Sequence, residues 1–61
     1  MHKGKVKWFN TGLGHGIIKK EAGGELFVYR KDVLESYLNP GSSVQFEIGR
    51  GGPCAVNVRS L

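Results

Sequence analysis

Sixty-one residues carrying a net charge of +4 at pH 7 make a small basic chain. A domain of this size buries only about 60% of the surface its unfolded chain exposes. That leaves a thin stability margin and no room for a catalytic cleft with its own supporting shell, which argues against an enzyme.

Ten glycines argue against long helices, and the apolar residues follow short alternating runs instead. The first strand is expected over residues 3–10, where Lys5 and Lys7 alternate with Val6 and Trp8. Phe9 breaks the alternation, so the strand either twists, bulges or shows bulky groups on both faces. Asn10, Thr11 and Gly12 supply turn chemistry. The second strand is expected over 16–19, with Ile18 on the face of Gly16 and Ile17 on the face of His15. The third, over 25–29, sends Leu26 and Val28 inward and Phe27 and Tyr29 outward.

One helical turn is expected over 30–34, with Val33 or Leu34 as a plug, and then a loop over 35–41. The fourth strand, over 43–48, alternates Val44, Phe46 and Ile48 with Gln45 and Glu47. A glycine hairpin at 49–52 leads to a last strand opened by Pro53, in which Cys54, Val56 and Val58 share a face. The expected core is Val6, Ile18, Leu26, Val28, Val33, Val44, Phe46, Ile48, Val56 and Val58, with Cys54 as a small interior residue. The expected fold is all-β: a small five-stranded antiparallel OB-type barrel, one domain over residues 1–61.

Aromatics interleaved with lysines suit a surface that stacks unpaired bases and tolerates phosphates. Trp8, Phe27 and Tyr29 are the candidate stacking residues. His15 can stack or donate a hydrogen bond, Arg30 can stack or hold phosphate, and Ile17 offers shape without a π face. The plain alternatives are an aromatic pair that merely covers the sheet, a solvated turn histidine, and lysines that only keep the chain soluble. Glycines 12, 14 and 16 do not make a dinucleotide loop, because no helix pattern follows them. One cysteine and two histidines cannot furnish a four-ligand zinc site, and no cofactor or metal is expected. With no apolar run of about 18 residues and no signal-peptide pattern, no membrane partner is expected, and the cytoplasm is the expected compartment.

Three stretches resemble the cold-shock domain family: the opening Gly4-Lys5-Val6-Lys7-Trp8-Phe9-Asn10, the segment Leu26-Phe27-Val28-Tyr29, and the closing Gly52-Pro53-Cys54-Ala55-Val56-Asn57-Val58. The resemblance spans nearly the whole chain. It implies an OB-type barrel that binds single-stranded RNA or DNA through an aromatic sheet face. Trp8, Phe9 and Phe27 take the family's base-stacking roles, and Lys7 and Asn10 those of polar neighbours. The family's first RNA-binding motif usually reads Lys-Gly-Phe-Gly-Phe-Ile. Here Leu13-Gly14-His15-Gly16-Ile17-Ile18 keeps the glycines and the last isoleucine but loses the lysine and both phenylalanines. Tyr29 replaces the usual histidine of the second motif, Arg30 replaces the next aromatic, and Tyr37 is the candidate for the aromatic often carried on the following loop.

The expected function is low-specificity binding of single-stranded RNA or DNA with RNA-chaperone activity, by a monomer or weak homodimer. The competing expectation is a barrel turned into a protein-interaction or strand-exchanged assembly module, motivated by the missing aromatics and short loops. A base–aromatic stack is worth about 1–3 kcal/mol, so the two absent phenylalanines remove up to about 6 kcal/mol. Binding is therefore expected to be weaker and more salt-dependent than in aromatic-rich relatives. Titration of labelled oligo-dT across salt measures this; tight binding that hardly responds to salt contradicts it.

Overall fold

The computed structural model describes residues 2–35, 37–49 and 54–61. Five strands, β1 (His2–Asn10), β2 (His15–Lys20), β3 (Glu25–Tyr29), β4 (Ser43–Ile48) and β5 (Cys54–Ser60), close into a barrel in the order β1-β2-β3-β5-β4. Four of the five seams are antiparallel. The fifth, between β3 and β5, is parallel and short, pairing Phe27 with Cys54 and Val28 with Ala55. The expected five-stranded OB-type barrel is thus observed, with this one seam parallel rather than antiparallel. Closure gives each strand two neighbours and removes the free edges an open sheet would present.

Alternation builds the core wherever it is regular. In β3, Leu26 and Val28 are buried while Glu25, Phe27 and Tyr29 are exposed. In β1 the register to β2 slips by one between Val6 and Trp8, so Lys7 is a surplus residue in a β-bulge. Val6 and Phe9 consequently both face inward, and Lys7 and Trp8 are both exposed. Gly16, opposite Phe9, accommodates this close approach. A Cβ there would collide with the Trp8 carbonyl oxygen and lie 2.7 Å from Phe9 Cα.

A second bulge lies in β5, where the register to β4 slips between Gln45 and Glu47. Asn57 adopts a φ of 52°, the left-handed region that asparagine tolerates better than most residues. Its surplus position inverts the phase of the strand. Ala55 and Val58 are buried, while the expected core residues Val56 and Cys54 are only half-buried. Ile48 ends β4 at the barrel mouth and remains 45% exposed, a further departure from the expected core.

Arg30–Asp32 form the expected helical turn, of the 3-10 kind. Val33 packs partly against the core and bridges Val58, whereas Leu34 points to solvent. The full plug is Leu38, completely buried although it lies in the loop before β4. That loop is anchored beside β1: the Gly41 N–H donates to Val6 O (2.7 Å), and the Val6 N–H donates to Ser42 O (3.0 Å). The expected glycine hairpin and the Pro53 strand start fall mainly on residues 50–53, outside the described residues; Gly49 donates its N–H to Cys54 O.

Burial predicts opposite results for two neighbouring leucines. Leu38→Ala should cost about 2–5 kcal/mol through the lost apolar contact and the cavity left behind. Leu34→Ala should stay within about 0.5 kcal/mol. Urea unfolding of the two variants measures the difference, and equal effects would contradict Leu38 as the plug.

Candidate nucleic-acid interface

Strand register brings the outward residues of β1, β2 and β3 into two rows. Trp8 is the cross-strand partner of Ile17, and Ile17 of Phe27; Asn10 is the partner of His15, and His15 of Tyr29. The resulting grid holds three large rings open to solvent: Trp8 is 39% exposed, Phe27 47% and Tyr29 39%. The alternation rule gives β2 and β3 their half of the grid. Trp8 joins it only because the Lys7 bulge turns the indole outward.

Within the grid, the His15 ring meets Trp8 edge-on, with centroids 5.7 Å apart and planes at 69°. Such a contact limits how the indole tilts. Ile17 is half-buried in the middle of its row, between Trp8 and Phe27, an apolar floor between two rings. Asn10 has a structural duty besides its place in the grid. Its Oδ1 accepts the Leu13 N–H (2.9 Å), and its carbonyl accepts the Gly14 N–H (2.8 Å), which holds the turn from β1 to β2. Gly14 has a φ of 77°, which a residue with a Cβ adopts only at a cost.

Arg30 sits at the same end. Its guanidinium donates to Thr11 O (3.3 Å) and its backbone N–H to Gly14 O (2.9 Å), so it ties the helical turn to the β1–β2 turn while remaining exposed. Tyr37 is 44% exposed and packs edge-on against Phe9, with ring centroids 6.2 Å apart.

Phe9 departs from the expectation of a stacking surface. It is 7% exposed, turned into the core by the bulge, and supports Tyr37 rather than offering a face of its own. Lys7 is outward as expected, but its Nζ is held 2.8 Å from Glu25 Oε2. Sequence reasoning passed over Glu25 as a site residue, although its place two residues before Phe27 on an alternating strand sets it on the same face. Cys54 was also missed there. As the parallel partner of Phe27, it borders the grid half-buried. Among the described residues, no cluster of histidine, cysteine, aspartate and glutamate could hold a metal ion, and no helix is long and apolar enough to cross a membrane.

The chain's sequence matches the family described as the 'Cold-shock' DNA-binding domain over residues 2–61. It is 44% identical to the cold shock protein CspB of Bacillus caldolyticus and 45% identical to the cold shock protein CspD of Bacillus subtilis, with full coverage of both chains in each case. It is also 42% identical to a cold shock-like protein of Thermotoga maritima, over 93% of this chain and 94% of that one.

The Lys7–Glu25 pair leads to a signed expectation. Both groups are well exposed, so the pair adds little stability, but the carboxylate neutralises the lysine adjacent to Trp8. Glu25→Gln should leave the melting temperature nearly unchanged and tighten single-strand binding. It should also steepen the dependence of log K on log salt by about 0.7, the value of one further phosphate contact. An unchanged slope would mean that Lys7 does not engage the backbone.

Proposed function

The chain belongs to the cold-shock DNA-binding domain family, and on that premise we propose that it binds single-stranded RNA or DNA with low sequence specificity by stacking unpaired bases on the grid of Trp8, Phe27 and Tyr29. The observation that carries the reading is the register that gathers these three exposed rings onto one face of three adjacent strands. Rings at such exposure contribute little to the core, yet each offers a π face that any base can cover. His15 orients Trp8, Ile17 supplies apolar contact, and Tyr37 and Arg30 extend the face with a ring and a cation. Asn10 keeps the turn in shape beside them. Lysines near the rings hold the backbone through phosphate contacts, which read no sequence.

Occupying single strands disfavours RNA hairpins, and RNA-chaperone activity follows from that without cofactor or metal. On this reading the protein acts in the cytoplasm as a monomer or weak homodimer.

Quenching of Trp8 fluorescence by a short oligo-dT or oligo-U tests the reading directly. Phe27→Ala and Tyr29→Ala should each weaken binding by about 1–3 kcal/mol with little change in unfolding midpoint. Phe9→Leu, a volume-conserving change in the core, should lower stability by less than about 1.5 kcal/mol and leave affinity nearly intact. No quenching at low salt would sink the stacking mechanism.

A further inference from the structure

Strand β1 continues beyond the grid toward its amino end, where its outward residues are Lys5 and then Lys3. Lys19 and Lys20 flank them on β2, as the cross-strand partners of Lys5 and Gly4. The four lysines, with Gly4, Ser43, Leu61 and the carboxylate of Glu21, line a hollow of about 330 Å³. No aromatic residue lines it, so it offers ammonium groups but no ring for a base to stack on.

None of these lysines forms an ion pair among the described residues, although the Glu21 carboxylate lines the same hollow. Among the described residues the ion pair formed is Lys7–Glu25, which leaves Lys3, Lys5, Lys19 and Lys20 without a carboxylate partner. Glu25 is the cross-strand neighbour of Lys19 on β3, yet its carboxylate is taken by Lys7. Lys5 and Lys19 stand directly opposite each other on two exposed strand positions, an arrangement in which like charges repel and destabilise the sheet. A bound anion relieves that repulsion. Ammonium groups on flexible stems suit phosphate as point charges, with no demand for a rigid fork geometry.

We infer that this hollow is a phosphate site, outside the aromatic grid, that takes the backbone of a nucleic-acid strand running off the grid along β1. The shared chemistry is a chain of phosphates. Continuity with the grid favours nucleic acid over inorganic polyphosphate, because Lys5 and Lys3 lie three and five residues from Trp8 on one strand, about 10–17 Å at the usual rise per residue. The inference rests on the stacking reading for delivery of the strand, and the test separates the two.

The measurement is backbone amide shift mapping with oligo-dT of about four and about twelve nucleotides, which bracket most of the range of OB-type site sizes, and with inorganic tripolyphosphate. The short strand should move the amides of Trp8, Phe27 and Tyr29. The long strand should move those of Lys3, Lys19, Lys20 and Glu21 as well. A triple variant, Lys3→Gln with Lys19→Gln and Lys20→Gln, should hold the short-strand affinity within about twofold, lose the gain that comes with length, and flatten the salt slope by about 2, at about 0.7 per phosphate.

Shifts confined to the grid with the long strand would overturn the phosphate site and leave the stacking reading standing. Shifts confined to the hollow would do the reverse. Tripolyphosphate acting at lower phosphate concentration than the long strand would reassign the hollow to free polyphosphate and overturn the proposal. No shift at either place would remove both.

Discussion

Strand β1 holds one residue more than the stretch of β2 it pairs with, and that surplus at Lys7 decides which way Trp8 and Phe9 point. Strict alternation from Val6 would send Trp8 into the barrel and Phe9 out. An indole inside a core this small would overpack it and bury an N–H in need of a partner. The bulge exchanges the two rings. Phe9 fills space beneath the loop and supports Tyr37, while Trp8 reaches the sheet face where Phe27 and Tyr29 already stand. Gly16 is the counterpart on β2, since only a residue without a Cβ lets the bulged strand come so near. The exposed aromatic grid and the packing of one end of the core therefore depend on the same local irregularity.

The bulge also distributes charge. With Lys7 displaced outward beside Trp8, its ammonium falls within reach of Glu25 on β3, two strands away. The lysine nearest the rings is thereby partly neutralised, while those farther along β1 and β2 are not. On the proposed reading, stacking and unpaired charge occupy successive lengths of one face. Stacking energy changes little with ionic strength, whereas unpaired surface charge is screened as salt rises. A strand held by both would lose its hold on the lysine length first.

Much of this was legible in the sequence, and the failures have identifiable causes. Period-2 patterning gave the strands and the outward pair Phe27 and Tyr29, because nothing interrupts β3. It failed in β5, where Asn57 adopts a left-handed conformation and inverts the phase, so that Ala55 is buried and Val56 only partly so. An asparagine inside an apolar run is a weak signal of a bulge, since asparagine serves equally well as a solvated strand residue. Leu38 was missed because a loop residue has no period to betray it; its burial comes from hydrogen bonds that lay the loop beside β1. Family likeness suggested stacking roles for Trp8, Phe9 and Phe27, but Phe9 is only 7% exposed and offers no open face. It gave no reason to expect the Lys7–Glu25 pair, which exists only through the register of three strands.

The two positions that depart furthest from the family motif, His15 and Ile17, then have a physical meaning. Neither reproduces the broad face of a phenylalanine, but both sit between the rings that remain. Against the indole edge, His15 restricts Trp8, and a ring already oriented loses less entropy when a base covers it. Ile17 lies in the Trp8–Phe27 row, where a third large ring would make one continuous platform. A branched aliphatic there leaves, on the proposed reading, two stacking stations separated by a low apolar step. Such a face grips fewer bases at once than a continuous platform does. On the proposed reading, this chain holds a strand at separated points and relies more heavily on its lysines between encounters, which makes its grip both lighter and easier to release.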